Sequence, residues 1–183
     1  MSRETDLQHF LDQAGWGRAK RISLASDASA RTYERLINGD KTAILMNSPL
    51  SERPDQFVLI DQILRDAKVH APEILAQDLE NGFLILEDFG NDTFTNLLKK
   101  GVPELDLYQK GIDTLIQIQN KATLLKTGIS DYSFDRMING AMMLPNWFGK
   151  AVPGGLTPKA VAEFKAIWCT LLQKLEGLPH TLV

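Results

Sequence analysis

The sequence holds a single cysteine, Cys169, so no intrachain disulfide framework can form. In its setting, "AIWCTLL", it is expected as a small helical core residue. Basic excess is missing too. The net charge is −3 and the isoelectric point about 5.6. No positive field is available to neutralise nucleic-acid phosphates, which excludes binding of that kind. Strongly apolar runs are only a few residues long, and the opening "MSRETDLQHF" is charged. Neither a membrane span nor a secretory signal is expected, and the reading is of a soluble cytoplasmic protein. The histidines, His9, His70 and His180, stand alone with no metal-ligand spacing.

What is present is 44% hydrophobic residues in 183, enough for one sizeable domain or two small lobes. Thr5 and Gln8 have capping-box spacing, and Leu7, Phe10, Leu11 and Ala14 share a face, so a helix is expected over 5–14. The period then falls to two. "KRISLA" (20–25), "RTYERLI" (31–37) and "KTAILMN" (41–47) read as strands, with "SDASA" and the strong hairpin signal "NGD" between them. Pro54 can begin a helix over 54–68. "HAPEILAQDLE", the Asn81-Gly82 turn and "FLILED" form a second hairpin. After Gly90 the pattern is helical. A short helix is expected at "TFTNLLKKG". A long one covers 103–122, with Leu105, Tyr108, Ile112, Leu115 and Ile116 on a face. A third covers 157–177, with Thr157 as cap and Pro158 first, and a face of Val161, Phe164, Ile167, Trp168, Leu171 and Leu175. The stretch 131–155 reads as irregular.

The fold class is therefore α+β: a sheet of five antiparallel strands with one inserted helix, followed by helices. This order resembles the start of the protein-kinase-like fold of the aminoglycoside phosphotransferase family. More narrowly, it resembles the bacterial branch of anomeric N-acetylmuramate and N-acetylglucosamine kinases. "SDASARTYER", "MNSP", "APEILAQDLENGFLILEDFG" and "LPNWF" carry the likeness. The resemblance implies an N-lobe over 1–90, with the nucleotide-binding sheet and hinge. It implies the start of a helical C-lobe over 91–183 that ends before the catalytic loop.

Asp88-Phe89-Gly90 spells the tripeptide that holds Mg²⁺ in protein kinases. In this fold, however, the metal-binding Asp follows the catalytic loop. Here the tripeptide ends the fifth strand, where the resemblance implies the hinge. Backbone groups near Leu86, Glu87 and Asp88 would then face the adenine edge of ATP. The turn Ser26, Asp27, Ala28, Ser29, Ala30 stands where kinases place a glycine-rich phosphate loop. It lacks glycine but has small side chains and the Ser29 hydroxyl. A simple hairpin turn is the alternative. The third-strand Lys of the family has no counterpart, because the register puts Met46 there and Lys41 lies at the strand's start. Arg31 and Arg35, four apart and on one face with Tyr33, are the candidate phosphate cations, or else surface charges. Asp55, Gln56 and Asp61 are the polar candidates early in the following helix for orienting such a cation. Trp147 and Phe148 suit either the apolar face of a sugar or a core.

No His-x-Asp…Asn pattern follows "LPHTLV", so no catalytic residue and no metal ligand is expected in this chain. It reads as the N-terminal, inactive portion of an ATP-dependent amino-sugar kinase of cell-wall recycling. Mg²⁺ would bind only with the missing C-lobe present, and self-association is expected through exposed C-lobe helices. The alternatives are a non-catalytic kinase-like scaffold and an unrelated α+β binding domain.

Overall fold

A computed structural model describes residues 2–25, 29–122 and 128–175. The chain divides into two compact units, residues 1–125 and 126–182. The first grouping runs past Gly90, where the resemblance ends the N-lobe, and takes in the two helices that follow the sheet.

In the first unit, helix α1 (Arg3–Gln13) begins two residues earlier than its pattern suggests. The cap is Ser2, not Thr5. Ser2 is extended, and its Oγ accepts from the Thr5 N–H at 3.3 Å, satisfying one of the free donors at the helix start. Strands β1 (Lys20–Ser23), β2 (Thr32–Asn38) and β3 (Lys41–Asn47) form the meander. Gly39, at φ 61°, makes the tight β2–β3 turn. Helix α2 (Pro54–Asp66) starts on Pro54, after a left-handed Arg53. Strands β4 (Ile74–Asp78) and β5 (Phe83–Leu86) complete an antiparallel sheet ordered β1-β2-β3-β5-β4. The five expected strands and the helix after the third are all present.

The sheet is covered on both faces. On one, Leu7, Phe10 and Leu11 of α1 pack on Leu36, Ala43, Leu45, Phe83 and Ile85. Fully burying each such side chain is worth about 1.5–3 kcal/mol. Polar contacts fix the helix there. Arg21 bridges Glu4 of α1 and Glu34 of β2, and Arg3 donates to Asn47 Oδ1 and lies over the Phe83 ring. On the other face, Met46, Leu84 and Leu86 form a second core with Tyr33, Ile44 and the α2 residues Phe57 and Val58.

Helices α3 (Phe94–Lys99) and α4 (Glu104–Ala122) follow. The packed row of α4 is Leu107, Gly111 and Ile118, flanked by Gln117. The stripe Leu105, Tyr108, Ile112, Leu115 and Ile116 points outward, each residue at least half exposed, in keeping with the exposed C-lobe helices expected. The reason is the anchor. Gln117 Nε2 donates to the carbonyls of Ala67 and Lys68 at the end of α2, which turns the neighbouring row inward.

The second unit contains α5 (Phe134–Met143), a π-helical turn (Leu144–Phe148), the short α6 (Gly149–Ala151) and α7 (Pro158–Gln173). The stretch expected to be irregular is thus mostly helical. Ser133 caps α5 by accepting from the Arg136 N–H. At Pro145, which has no N–H to give, the ladder widens into the π turn. Thr157 and Pro158 start α7 as the sequence indicates. Cys169 is half-buried and free.

Candidate nucleotide site

The face of the sheet under α2 gathers most of the residues singled out from the sequence. Register sets one row across it: Arg35 of β2 lies beside Ile44 of β3, which lies beside Leu86 of β5, which lies beside Ile74 of β4. Tyr33, Met46 and Leu84 form the adjacent row. Met46, which the sequence reading set where the family places its third-strand Lys, is fully buried in the apolar core.

Ser26, Asp27 and Ala28 lie outside the described residues. At the far end of that turn, the Ser29 hydroxyl accepts from the Arg31 N–H at 3.2 Å and meets Glu52 Oε2 at 3.4 Å. Arg31 does not point outward as a surface charge. Its Nη2 donates to the Glu52 carbonyl and its guanidinium lies 5.7 Å from the centroid of the Phe57 ring. Its Nε is buried with no hydrogen-bond partner among the described residues.

Arg35 is held more firmly. Its Nε lies 2.7 Å from Asp88 Oδ2, and its Nη2 donates to Asp88 Oδ1 and to the Gly90 carbonyl, both at 3.0 Å. Its Nη1 donates to Asn91 Oδ1. Both arginines read as phosphate cations are therefore captured by acceptors far along the chain. That pairing depends on the fold, and spacing in sequence cannot show it.

The same contacts define Asp88. Its side chain is 5% exposed, and both carboxylate oxygens face the Arg35 guanidinium. Burial pushes its pKa up. The Gly90 N–H, the Arg35 guanidinium and a hydrogen bond from Thr42 outweigh that, and hold it below the usual carboxylate value. The carboxylate is an internal strut joining β2 to the exit of β5.

At that exit, Leu86 is buried. The Glu87 N–H donates to the Glu73 carbonyl at 2.8 Å, and the Glu73 N–H donates to Glu87 Oε2. The Glu87 side chain also approaches His70, whose ring stacks at an angle on Phe89. Of the three hinge candidates, Glu87 thus has its amide and carboxylate turned toward the segment entering β4.

In the second unit, Trp147 is 76% and Phe148 65% exposed, so neither is a core residue. Among the described residues no three His, Cys, Asp or Glu side chains are grouped to hold a metal ion, and no helix is long and apolar enough to cross a membrane.

Sequence reasoning missed three contributors. Glu52 holds both Ser29 and Arg31, Asn91 receives Arg35, and Arg3 ties α1 to β3. All are polar residues near turns or termini, without a periodic signal. Only their partners distinguish them.

No family model matches the chain. It is 42% identical to the N-acetylmuramate/N-acetylglucosamine kinase of Pseudomonas aeruginosa, over 97% of this chain and 53% of that protein. It is 29% identical to the protein of that name from Caulobacter vibrioides, over 96% of this chain and 58% of the relative. The corresponding Pseudomonas putida protein is 30% identical, over 95% of this chain and 52% of the relative. The chain is thus related along nearly its whole length to proteins named N-acetylmuramate/N-acetylglucosamine kinases, and it spans about half the length of each.

Proposed function

We propose that the chain is the nucleotide-binding portion of an ATP-dependent kinase that phosphorylates an amino sugar, N-acetylmuramate or N-acetylglucosamine. The observation that carries this reading is the 42% identity, over 97% of the chain, to a relative of that name. The five-stranded sheet with its helix after β3 supports it. So does a β5 exit stiffened by the Arg35–Asp88 pair, since a rigid exit can present backbone donors and acceptors to a flat base.

In this reading the adenine lies against the β5 exit. Because the Glu87 amide is already used by Glu73, the base edge is read by the backbone of Asp88 and the residues after it. The phosphates lie toward the turn that ends at Ser29, where Glu52 fixes the Ser29 hydroxyl and Arg31. Magnesium does not fit the residues described here, since Asp88 is saturated by Arg35 and no acidic cluster accompanies it. The metal ligands and the base that accepts the sugar proton belong to chain outside this portion. Buried Met46 also favours a second reading, a non-catalytic module that binds nucleotide or a partner.

One experiment separates the two. Phosphate transfer from Mg-ATP to N-acetylglucosamine is measured for the 183-residue chain, and for the same chain fused to the part of the Pseudomonas aeruginosa relative outside the match. The expected result is no transfer by the chain alone and steady transfer by the fusion, with a raised nucleotide KM when Ser29 is changed to Ala. A folded fusion that binds ATP without transferring phosphate establishes the binding module instead.

A further inference from the structure

Asn stands directly before Gly three times in the chain, at 38–39, 81–82 and 139–140. The dipeptide is chemically labile. Glycine has no Cβ, so its amide nitrogen can approach the side-chain carbon of the preceding Asn unhindered. In an unfolded chain the three pairs are alike. The fold makes them different.

Asn139 and Gly140 lie inside α5. There the Gly140 amide belongs to the helical ladder, and it reaches the Asn139 side chain only if that turn unwinds. Asn81 is held by Asp78. Its N–H donates to Asp78 Oδ1 at 3.1 Å and its Nδ2 donates to Oδ2 at 2.8 Å. Gly82 is buried, and its carbonyl accepts from the Ser48 N–H. Asn38 and Gly39 have no such restraint. They sit at the tip of the β2–β3 hairpin, where Asn38, Gly39 and Asp40 are all exposed. Among the described residues, neither the Asn38 side chain nor the Gly39 N–H has a hydrogen-bond partner. A Cβ built on Gly39 would meet nothing within 4 Å. The Asn38–Lys41 pair is the last of its ladder, so a movement that brings the Gly39 nitrogen to the Asn38 side chain opens one pair and no more.

We infer that Asn38 is a modification site, at which the folded chain deamidates itself while Asn81 and Asn139 are spared. The Gly39 nitrogen gives its proton to base and attacks Asn38 Cγ. A bond forms between them, the Cγ–Nδ2 bond breaks, and Nδ2 leaves as ammonia with a proton from water. Water then opens the cyclic imide at either carbonyl, which leaves aspartate or isoaspartate at position 38. Each product adds one carboxylate and takes the net charge from −3 to −4. The two differ in what they do to the turn. Aspartate places its charge opposite Lys41, the cross-strand neighbour. Isoaspartate lengthens the main chain by one carbon at that pair and disturbs the register of the tip.

The test ages the whole chain in warm, mildly alkaline buffer, one sample folded and one in urea. Peptide mass mapping reads the exchange of NH for O at each Asn-Gly pair, and labelling by an isoaspartyl methyltransferase marks the lengthened product. In the folded sample, position 38 should be modified about tenfold or more faster than positions 81 and 139, since the latter two must first open locally. In urea the three rates should converge. Isoelectric focusing of the folded sample should show a new, more acidic band, which Asn38→Gln abolishes because the longer side chain cyclises far more slowly. The mass map of the parent chain stands without that variant. Folded-state rates that match at the three sites, a faster reaction at 81 or 139, no reaction at 38, or an acidic band that survives Asn38→Gln would each overturn the assignment.

Discussion

A single pair, Arg35 and Asp88, ties β2 to the exit of β5 on the sheet face under α2. It is buried on the carboxylate side and nearly so on the guanidinium side, with side chains 5% and 17% exposed. Removing one partner of such a pair leaves an uncompensated charge, so Asp88→Ala should cost about 2–4 kcal/mol, read by chemical denaturation. The sign of its pH dependence follows from the lowered pKa of Asp88. The stabilisation is complete above the ordinary carboxylate value of about 3.9 and is lost as pH falls through the lowered folded value. Asp88→Asn should therefore trail the parent by a constant margin from about pH 5 to 8, with the gap closing in acid. A margin that widened on acidification would contradict the pair's role. The arginine signals were visible in the sequence as two charges on one strand face, but their partners were not. Asp88 lies 53 residues from Arg35, and Glu52 lies 21 from Arg31. No local pattern links residues that far apart, so a strut and a phosphate cation look alike until the chain is folded.

Among the elements, those with strong local signals were legible to the residue. The Asn-Gly-Asp turn sets the start of β3 at Lys41, and the Thr157-Pro158 pair sets the start of α7. The cap of α1 was displaced because Ser2 and Thr5 both offer a hydroxyl and only the backbone conformation at Ser2 decides between them. The helix α5 was lost among Gly, Pro and aromatic residues that resemble a loop. The second hairpin turn gives a sharp prediction. Gly82 sits at φ 75°, and a Cβ there would fall 2.1 Å from the Ser48 carbonyl oxygen. That carbonyl belongs to the same residue whose N–H donates to the Gly82 carbonyl, so the contact cannot relax without opening the β3–β5 end. Gly82→Ala should destabilise the first unit by more than the roughly 1 kcal/mol typical of a left-handed glycine alone. A thermal shift no larger than that of Gly39→Ala, which has open space around it, would show that the contact relaxes.

At the scale of the whole molecule, exposed apolar surface dominates. Leu105, Tyr108, Ile112, Leu115 and Ile116 of α4 are 50–76% exposed, and α7 exposes Ile167, Trp168 and Leu171. Faces of this kind are rarely left in water by a stable monomer. Sedimentation should show concentration-dependent self-association, reduced by Ile112→Lys or Ile167→Lys. A monomer at every concentration, unfolding in one cooperative step, would show that these faces do not associate. The helical stripe of α4 and its exposure were both legible in the sequence, but the row that packs in its place was not, because that depends on what Gln117 binds.

That glutamine has a mechanical consequence. By donating to the two carbonyls that close α2, it makes α4 and the end of α2 a single lever. A shift of α4 along its axis must therefore either carry the end of α2 with it or break both bonds.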